Sequence, residues 1–143
     1  IYYLHELSDI YAREALGTAR AHTMARAGTL SRHGIAFALH SDYTMAPAQP
    51  LNSAWVAVNR KNVAGDIVGP EERVSVEQAL RAITADAAYV LGLEHEVGTL
   101  QPGKRADFTV LEQDPFEVPP EDLRDIKIWG TVFGGTPAPL KDN

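Results

Sequence analysis

Three residues, His40-Ser41-Asp42, stand at the end of the apolar run Ile35-Ala36-Phe37-Ala38-Leu39. A short, wholly apolar strand that stops on an acid is the pattern of a buried parallel strand. It delivers one carboxylate to the mouth of an α/β barrel. A carboxylate there can ligate a metal or take a proton as a general base. His40 lies two residues before Asp42, so both fall on the same side of the strand. That placement makes His40 a candidate substrate contact beside the acid. Two plainer readings stand next to these. Asp42 can cap the following turn through Asx hydrogen bonds, and His40 can be a core histidine bonded to a loop carbonyl. His5, His22, His33 and His95 have no partner at ligand spacing and read as surface or helix-end residues. No second cluster completes a metal site, and one ligand alone cannot hold a metal.

The elements that must position this triplet follow from periodicity and punctuation. Ile1 to Leu4 reads as the tail of a strand. Ser8 reads as the N-cap of a helix through Leu16 that Gly17 closes. A second helical stretch runs from Ala19 to His33 and ends at Gly34, with Gly28 weakening its interior. The run 35–39 is then a strand, which completes half of a βαβ unit. Residues 43–50 form a Pro-containing loop over the strand end. Leu51, Ala54, Trp55 and Val58 recur at i, i+3, i+4, i+7, one face of a helix starting after Pro50. Residues 61–74 read as a polar loop, with Glu71-Glu72-Arg73 solvated. Ser75-Val76-Glu77-Gln78 is a capping box opening another helix, and Thr84 reads as the N-cap of a helix from Ala85 to Leu91, stopped by Gly92. From Val97 the character changes. Gly98, Pro102 and Gly103 make turns, and residues 107–111 and 126–133 alternate as two strands of a small sheet that Gly134-Gly135 ends. The stretch from Gly98 to Phe108 lacks the Gly-Lys-Ser/Thr ending of a phosphate loop, and its Asp107 reads as structural. The resulting division is 1–96, 97–135 and a loose tail at 136–143.

Composition narrows the function classes. The 143 residues are one domain's worth, 45% apolar and 22% charged, with a net charge of −6. There is no basic stripe beyond Lys104-Arg105, which argues against nucleic acid as a partner. The absence of cysteine excludes disulfides and thiolate metal sites. No apolar stretch reaches the roughly 18 residues of a membrane span. A cytoplasmic location is the simplest expectation. The chain opens on Ile1, and Ile1-Tyr2-Tyr3-Leu4 is too short for a signal-peptide core, so it reads as a piece of something longer.

Four passages, in order and at consistent spacing over residues 35–135, carry a family resemblance. They are Phe37 to Asp42; Pro50-Leu51 through Val58-Asn59-Arg60; Ser75 to Thr84 with Ala87-Ala88 and Gly92; and Gly98 to Phe108 with the closing Gly130-Thr131-Val132-Phe133-Gly134-Gly135. The chain resembles the C-terminal part of a metal-dependent amidohydrolase of the amidohydrolase-3 type. The resemblance implies an α/β fold class. Residues 1–96 would be the last strand and flanking helices of a TIM barrel, and 97–135 a segment of a small β-sandwich built from both chain ends. It implies hydrolysis of amide, urea or related C–N bonds in a small molecule with one or two divalent metals, zinc by default. The family's ligands are a His-x-His pair, a bridging Lys or Glu, two further histidines and a final Asp. Of these only the final Asp has a counterpart here, Asp42, as metal ligand and as the base that returns a proton to the leaving nitrogen. The piece alone is then expected to be inactive and without metal. It would self-associate, swap elements or pair with the missing N-terminal part of the barrel. A second reading is a non-catalytic assembly or binding module that reuses this half of the fold, with Asp42 vestigial.

Overall fold

The computed structural model describes residues 1–140. Six helices precede a small sheet: α1 (Tyr2–Glu14), α2 (Thr18–His22), α3 (Ala27–Arg32), α4 (Pro50–Asn59), α5 (Val76–Ala82) and α6 (Ala85–Val90). The sheet comprises β1 (Phe108–Leu111), β2 (Ile128–Phe133) and β3 (Thr136–Pro139), antiparallel in the order β1-β2-β3. No helix among the described residues is long and apolar enough to cross a membrane.

The centre of the molecule is α4. Pro50 opens it, where a missing N–H costs nothing. The predicted stripe Leu51, Ala54, Trp55, Val58 is only part of its buried surface, for every residue from Ser53 to Asn59 is buried. The helix packs against α1, α5 and the 3-10 segment Pro120–Asp125, and the core gathers around it: Leu4, Ala27, Val68, Val74, Ala79, Leu123 and Ile126. The Trp55 indole donates to the Glu121 carbonyl at 2.7 Å, Asn59 Nδ2 donates to Pro120 O at 2.8 Å, and the Arg124 guanidinium lies 3.9 Å from the Trp55 ring centroid. These bonds tie the stretch leading into β2 to the helical layer.

Arg60 follows α4 directly, in the left-handed conformation with φ +56° and fully buried. Its guanidinium donates to four carbonyls: Val68 (2.8 Å), Ala25 (2.7 Å), Met24 (2.9 Å) and His22 (3.2 Å). It thereby holds the C-terminal end of α2 and the turn before α3. Burial pulls its pKa down to about 10, against the favourable charges of Glu72 and Glu71, and it stays cationic at neutral pH. Beside it, Gly69 has φ +60°, and a β-carbon there would collide with the His22 carbonyl.

Several local expectations change. Ile1 to Leu4 is not a strand: α1 starts at Tyr2, and Ser8 is buried inside it instead of capping it. The buried face of α1 is Tyr2, Leu4, His5 and Ser8, half of it polar, so hydrophobic periodicity does not reveal it. His5 is not at the surface. Its ring packs edge-on between Tyr2 and Trp55, and Nδ1–H donates to Lys61 O at 2.7 Å. The stretch from Ala19 to His33 breaks into α2 and α3 at Ala25, which has φ +49°. Gly28 is there for packing, because a β-carbon would lie 2.7 Å from Glu72 Cα. Thr84 makes no capping bond and donates to Leu80 O instead.

Glu72 is not in a solvated loop. It is 5% exposed and accepts from the Thr29 amide (2.6 Å) and hydroxyl (2.5 Å), with Arg32 at 3.4 Å. The tail from Thr136 is not loose through Pro139: Gly134 and Gly135, both at positive φ, form the two-residue loop of a β2–β3 hairpin. The remainder of that expected tail, 141–143, lies outside the described residues. The capping box stands as read, Gln78 N to Ser75 Oγ at 3.1 Å and Ser75 N to Gln78 Oε1 at 2.9 Å.

These contacts set two expectations for denaturant and pH titrations. Ser8 Oγ is buried without a partner, so Ser8→Ala will leave the urea midpoint unchanged or raise it, whereas Ser75→Ala will lower stability by about 1 kcal/mol. At Glu72, burial pushes the carboxyl pKa up, but the two Thr29 bonds and the charges of Arg32 and Arg60 hold it below the ordinary 4.5. A depressed folded-state pKa contributes stability above pH 4.5 that is lost as pH falls through the lower folded value. Glu72→Gln will therefore flatten the acid limb of Tm against pH and lower neutral-pH stability by roughly 1.5–3 kcal/mol.

Candidate functional site

Gly34, at φ +66°, ends the α3 turn, and the chain then runs extended through residues 35–41. The sequence predicts a strand here, but no strand among the described residues pairs with it. One main-chain bond, Leu39 N to Ala82 O at 3.0 Å, ties it to the end of α5. Alternation is nonetheless present. Phe37 and Leu39 pack on the core, while Ala36, Ala38, His40 and Asp42 are exposed on the other side. Ile35 is 52% exposed, high for a residue of this type.

The structure brings His40 and Asp42 together. Asp42 N donates to His40 Nδ1 at 3.1 Å, which makes Nδ1 the acceptor and puts the ring proton of the neutral imidazole on Nε2. His40 is exposed, so it is not a core histidine bonded to a loop carbonyl. Asp42 sits at φ +53°, a left-handed conformation that Asp tolerates better than most residues. The turn after it closes through the main chain, Met45 N to Asp42 O at 2.7 Å, and the carboxylate takes no Asx bond. Instead Oδ2 accepts from the Tyr3 hydroxyl at 3.0 Å, and Oδ1 has no protein partner among the described residues. The Asp42 bond and charge raise the Tyr3 phenol above its ordinary pKa. The bond persists while the phenol is protonated and is lost as pH rises through that value.

Tyr3 was not legible as a site residue. It lies 39 positions from Asp42 and belongs to a helix whose start the sequence conceals. No group of three or more His, Cys, Asp or Glu that could hold a metal exists among the described residues. The donor chemistry fits one hard oxygen ligand to a divalent ion, contributed by Asp42, and not a whole site. Tyr43, 76% exposed, follows directly on the same rim.

Asp42 carries backbone strain independent of its chemistry. Asp42→Gly will keep or slightly raise stability, while Asp42→Ala will lower it by about 1 kcal/mol, read from denaturant midpoints.

The profile of the Amidohydrolase family matches residues 1–138. The chain is 33% identical over 102 residues to the N-substituted formamide deformylase of Arthrobacter pascens, covering 71% of this chain and 19% of that protein. It is 34% identical over 125 residues to YtcJ of Bacillus subtilis (strain 168), a protein named as an amidohydrolase, covering 85% of this chain and 24% of the relative. A crystal structure of an amidohydrolase from Thermotoga maritima MSB8 superposes with a TM-score of 0.56 at 22% identity, over 77% of this chain and 25% of that one. The chain thus spans about a fifth to a quarter of the length of these three proteins.

Proposed function

The chain belongs to the amidohydrolase family and shares its α/β fold, and on that premise we propose that it is the C-terminal portion of a metal-dependent hydrolase that cleaves a C–N bond in a small molecule, with Asp42 as metal ligand and general base. The observation that carries this is the Asp42 carboxylate itself. It is exposed at the end of an extended run, in a left-handed conformation, unused by the local turn and with one oxygen unpartnered. Strain of this kind collects where function requires a particular geometry.

In this reading residues 35–42 are the last strand of a TIM barrel. Their missing ladder is supplied by the N-terminal part of the longer protein. The bare face of Ala36, Ala38 and His40 would then line the barrel interior, with Phe37 and Leu39 against the helices. The groove of about 1230 Å³ between α4, α5, α6 and the sheet, lined by Leu51, Ile83, Leu91, Phe108, Ile126 and Val132 among others, fits the other half of a composite β-sandwich. The relative's name supports the bond class: an N-substituted formamide deformylase acts on a formamide C–N bond.

When held by Asp42 together with ligands from the rest of the barrel, a divalent metal, zinc by family default, would supply a Lewis acid that acidifies a water. The residues on this chain do the rest. The Asp42 carboxylate would take the proton of the attacking water and deliver it to the leaving nitrogen, so that an amine departs and not an amide anion. His40, with its proton on Nε2, offers a donor to a substrate carbonyl or carboxylate on the same rim. Residues 1–143 alone have one ligand and an unpaired strand, so in isolation they are inactive, bind no metal usefully and self-associate or swap elements. A cytoplasmic setting accompanies this reading.

The test uses the full-length protein from which this chain comes, assayed for formate release from N-alkylformamides, with metal analysis. The expected result is one or two divalent ions per chain, turnover, and a loss of at least about 100-fold in kcat for Asp42→Asn, which keeps the shape and tolerates φ +53°. Full-length protein without metal, or an Asp42→Asn variant with wild-type turnover, would sink the reading and favour a non-catalytic assembly module.

A further inference from the structure

The small sheet leaves β1 as an outer strand. Its main-chain bonds fix which amides are free. Gly135 N donates to Ala106 O at 3.0 Å and Glu112 N to Lys127 O at 2.9 Å. Between them Phe108 lies opposite Val132 and Val110 opposite Gly130. The peptide groups of a strand point to its two sides alternately, so the even-numbered residues from 106 to 112 face β2. Thr109 and Leu111 therefore turn their N–H and C=O outwards, and neither bonds to a loop or helix among the described residues. Sheet edges are usually blunted by charge, by proline or by a covering element. Phe108–Leu111 holds no charge and no proline, Thr109 is exposed, and Phe108 is 39% exposed.

This strand is also its own complement. Antiparallel pairing about a twofold axis at Thr109 sets Thr109 opposite Thr109 of a second copy, Phe108 opposite Val110 and Asp107 opposite Leu111. An aromatic residue opposite a β-branched one is a favourable cross-strand pair, and the symmetry makes it twice. No like charges meet. Further out, Lys104 comes opposite Asp114, and its ammonium, bonded to the Glu94 carbonyl and the Thr99 hydroxyl, keeps its charge available. An axis at Asp107 would instead set two carboxylates face to face, and one at Val110 would set Phe108 against Glu112. We propose that β1 is a self-association surface: two copies of this chain pair antiparallel through Phe108–Leu111 and join their three-stranded sheets into one. Each copy uses the same edge, so the contact is isologous and closes at two. This rests on the self-association read above and names its surface, which lies on the sheet and not on the extended run 35–41.

The chain has no cysteine, so a single introduced thiol reports the contact without background. A bonded antiparallel pair has its Cα atoms about 5.5 Å apart, within reach of a disulfide. Thr109→Cys is therefore expected to give a covalent dimer on a denaturing gel after mild oxidation with copper phenanthroline. Gln113→Cys is expected to run as a monomer, because its two thiols would lie about 27 Å apart along the paired strands. Thr109→Pro removes the outward N–H and spares the bonds to β2. Its dimer Kd, read by sedimentation equilibrium, is expected to weaken at least about 100-fold, while Tm in dilute solution stays within about 3 °C of wild type. The two cysteine variants decide the matter if the proline variant does not fold. A wild-type chain that sediments as a monomer throughout overturns self-association and this surface together. A wild-type dimer that Thr109→Cys does not link and Thr109→Pro does not weaken overturns the β1 surface and leaves self-association standing.

Discussion

A buried guanidinium organises this structure. Arg60 is inside the protein with no carboxylate among the described residues in direct contact, and what makes its burial tolerable is four carbonyl oxygens from two separate stretches of chain, residues 22–25 and Val68. Those carbonyls need it as much as it needs them. His22, Met24 and Ala25 lie at the end of α2 and in the turn before α3, where helical partners run out. A lysine could not replace it, because a point charge with three donors cannot reproduce a planar fork reaching four acceptors. Removal would leave buried acceptors unmet, each an expense of about 1–3 kcal/mol.

From that centre the rest is placed in sequence. Arg60 fixes the turn before α3, and Glu72 fixes α3 itself through the Thr29 amide and hydroxyl. The end of α3 then sets the origin of the extended run 35–41, which Phe37 and Leu39 press onto the core. Meanwhile α4 carries Asn52, which holds Tyr2, and α1 carries Tyr3 to Asp42. The carboxylate is reached by two routes through the same helical layer. Its environment is thus a product of tertiary packing, although the residue itself ends a strictly local sequence pattern.

That division explains what could be read in advance. The α4 start at Pro50 and the Ser75 capping box depend on neighbours a few residues apart, and they stand as the pattern reads, whereas β1 forms as a strand without the expected alternation, Phe108 and Thr109 being exposed and Val110 and Leu111 half-buried. The position of Asp42 at the end of an apolar run is also local. Features that depend on distant partners were not legible. Half of the buried face of α1 is polar, and His5 and Ser8 look like surface residues until Trp55 and the rest of the core close over them. Glu72 sits in a charged triplet and is buried only because Thr29, 43 residues away, offers two donors. The family resemblance anticipated membership from the order of four short passages, two of which now have structural reasons: the buried α4–Arg60 unit and the capped α5.

The hairpin strand β3 contains Pro137 and Pro139, which at first sight should not belong to a sheet. Their register resolves this. Val132 faces Pro137 and Gly130 faces Pro139, while Leu140 N bonds to Trp129 O at 2.9 Å. Antiparallel pairs alternate between bonded and non-bonded positions, so both prolines fall where the amide would point away from β2. The outer rim of β3 therefore has carbonyls but no donors at these two sites. The sheet is closed on that side and can be extended only beside β1. Growth of this sheet has a single direction, and any further strand, including one from a neighbouring molecule, must dock next to Phe108–Leu111 or not join it at all.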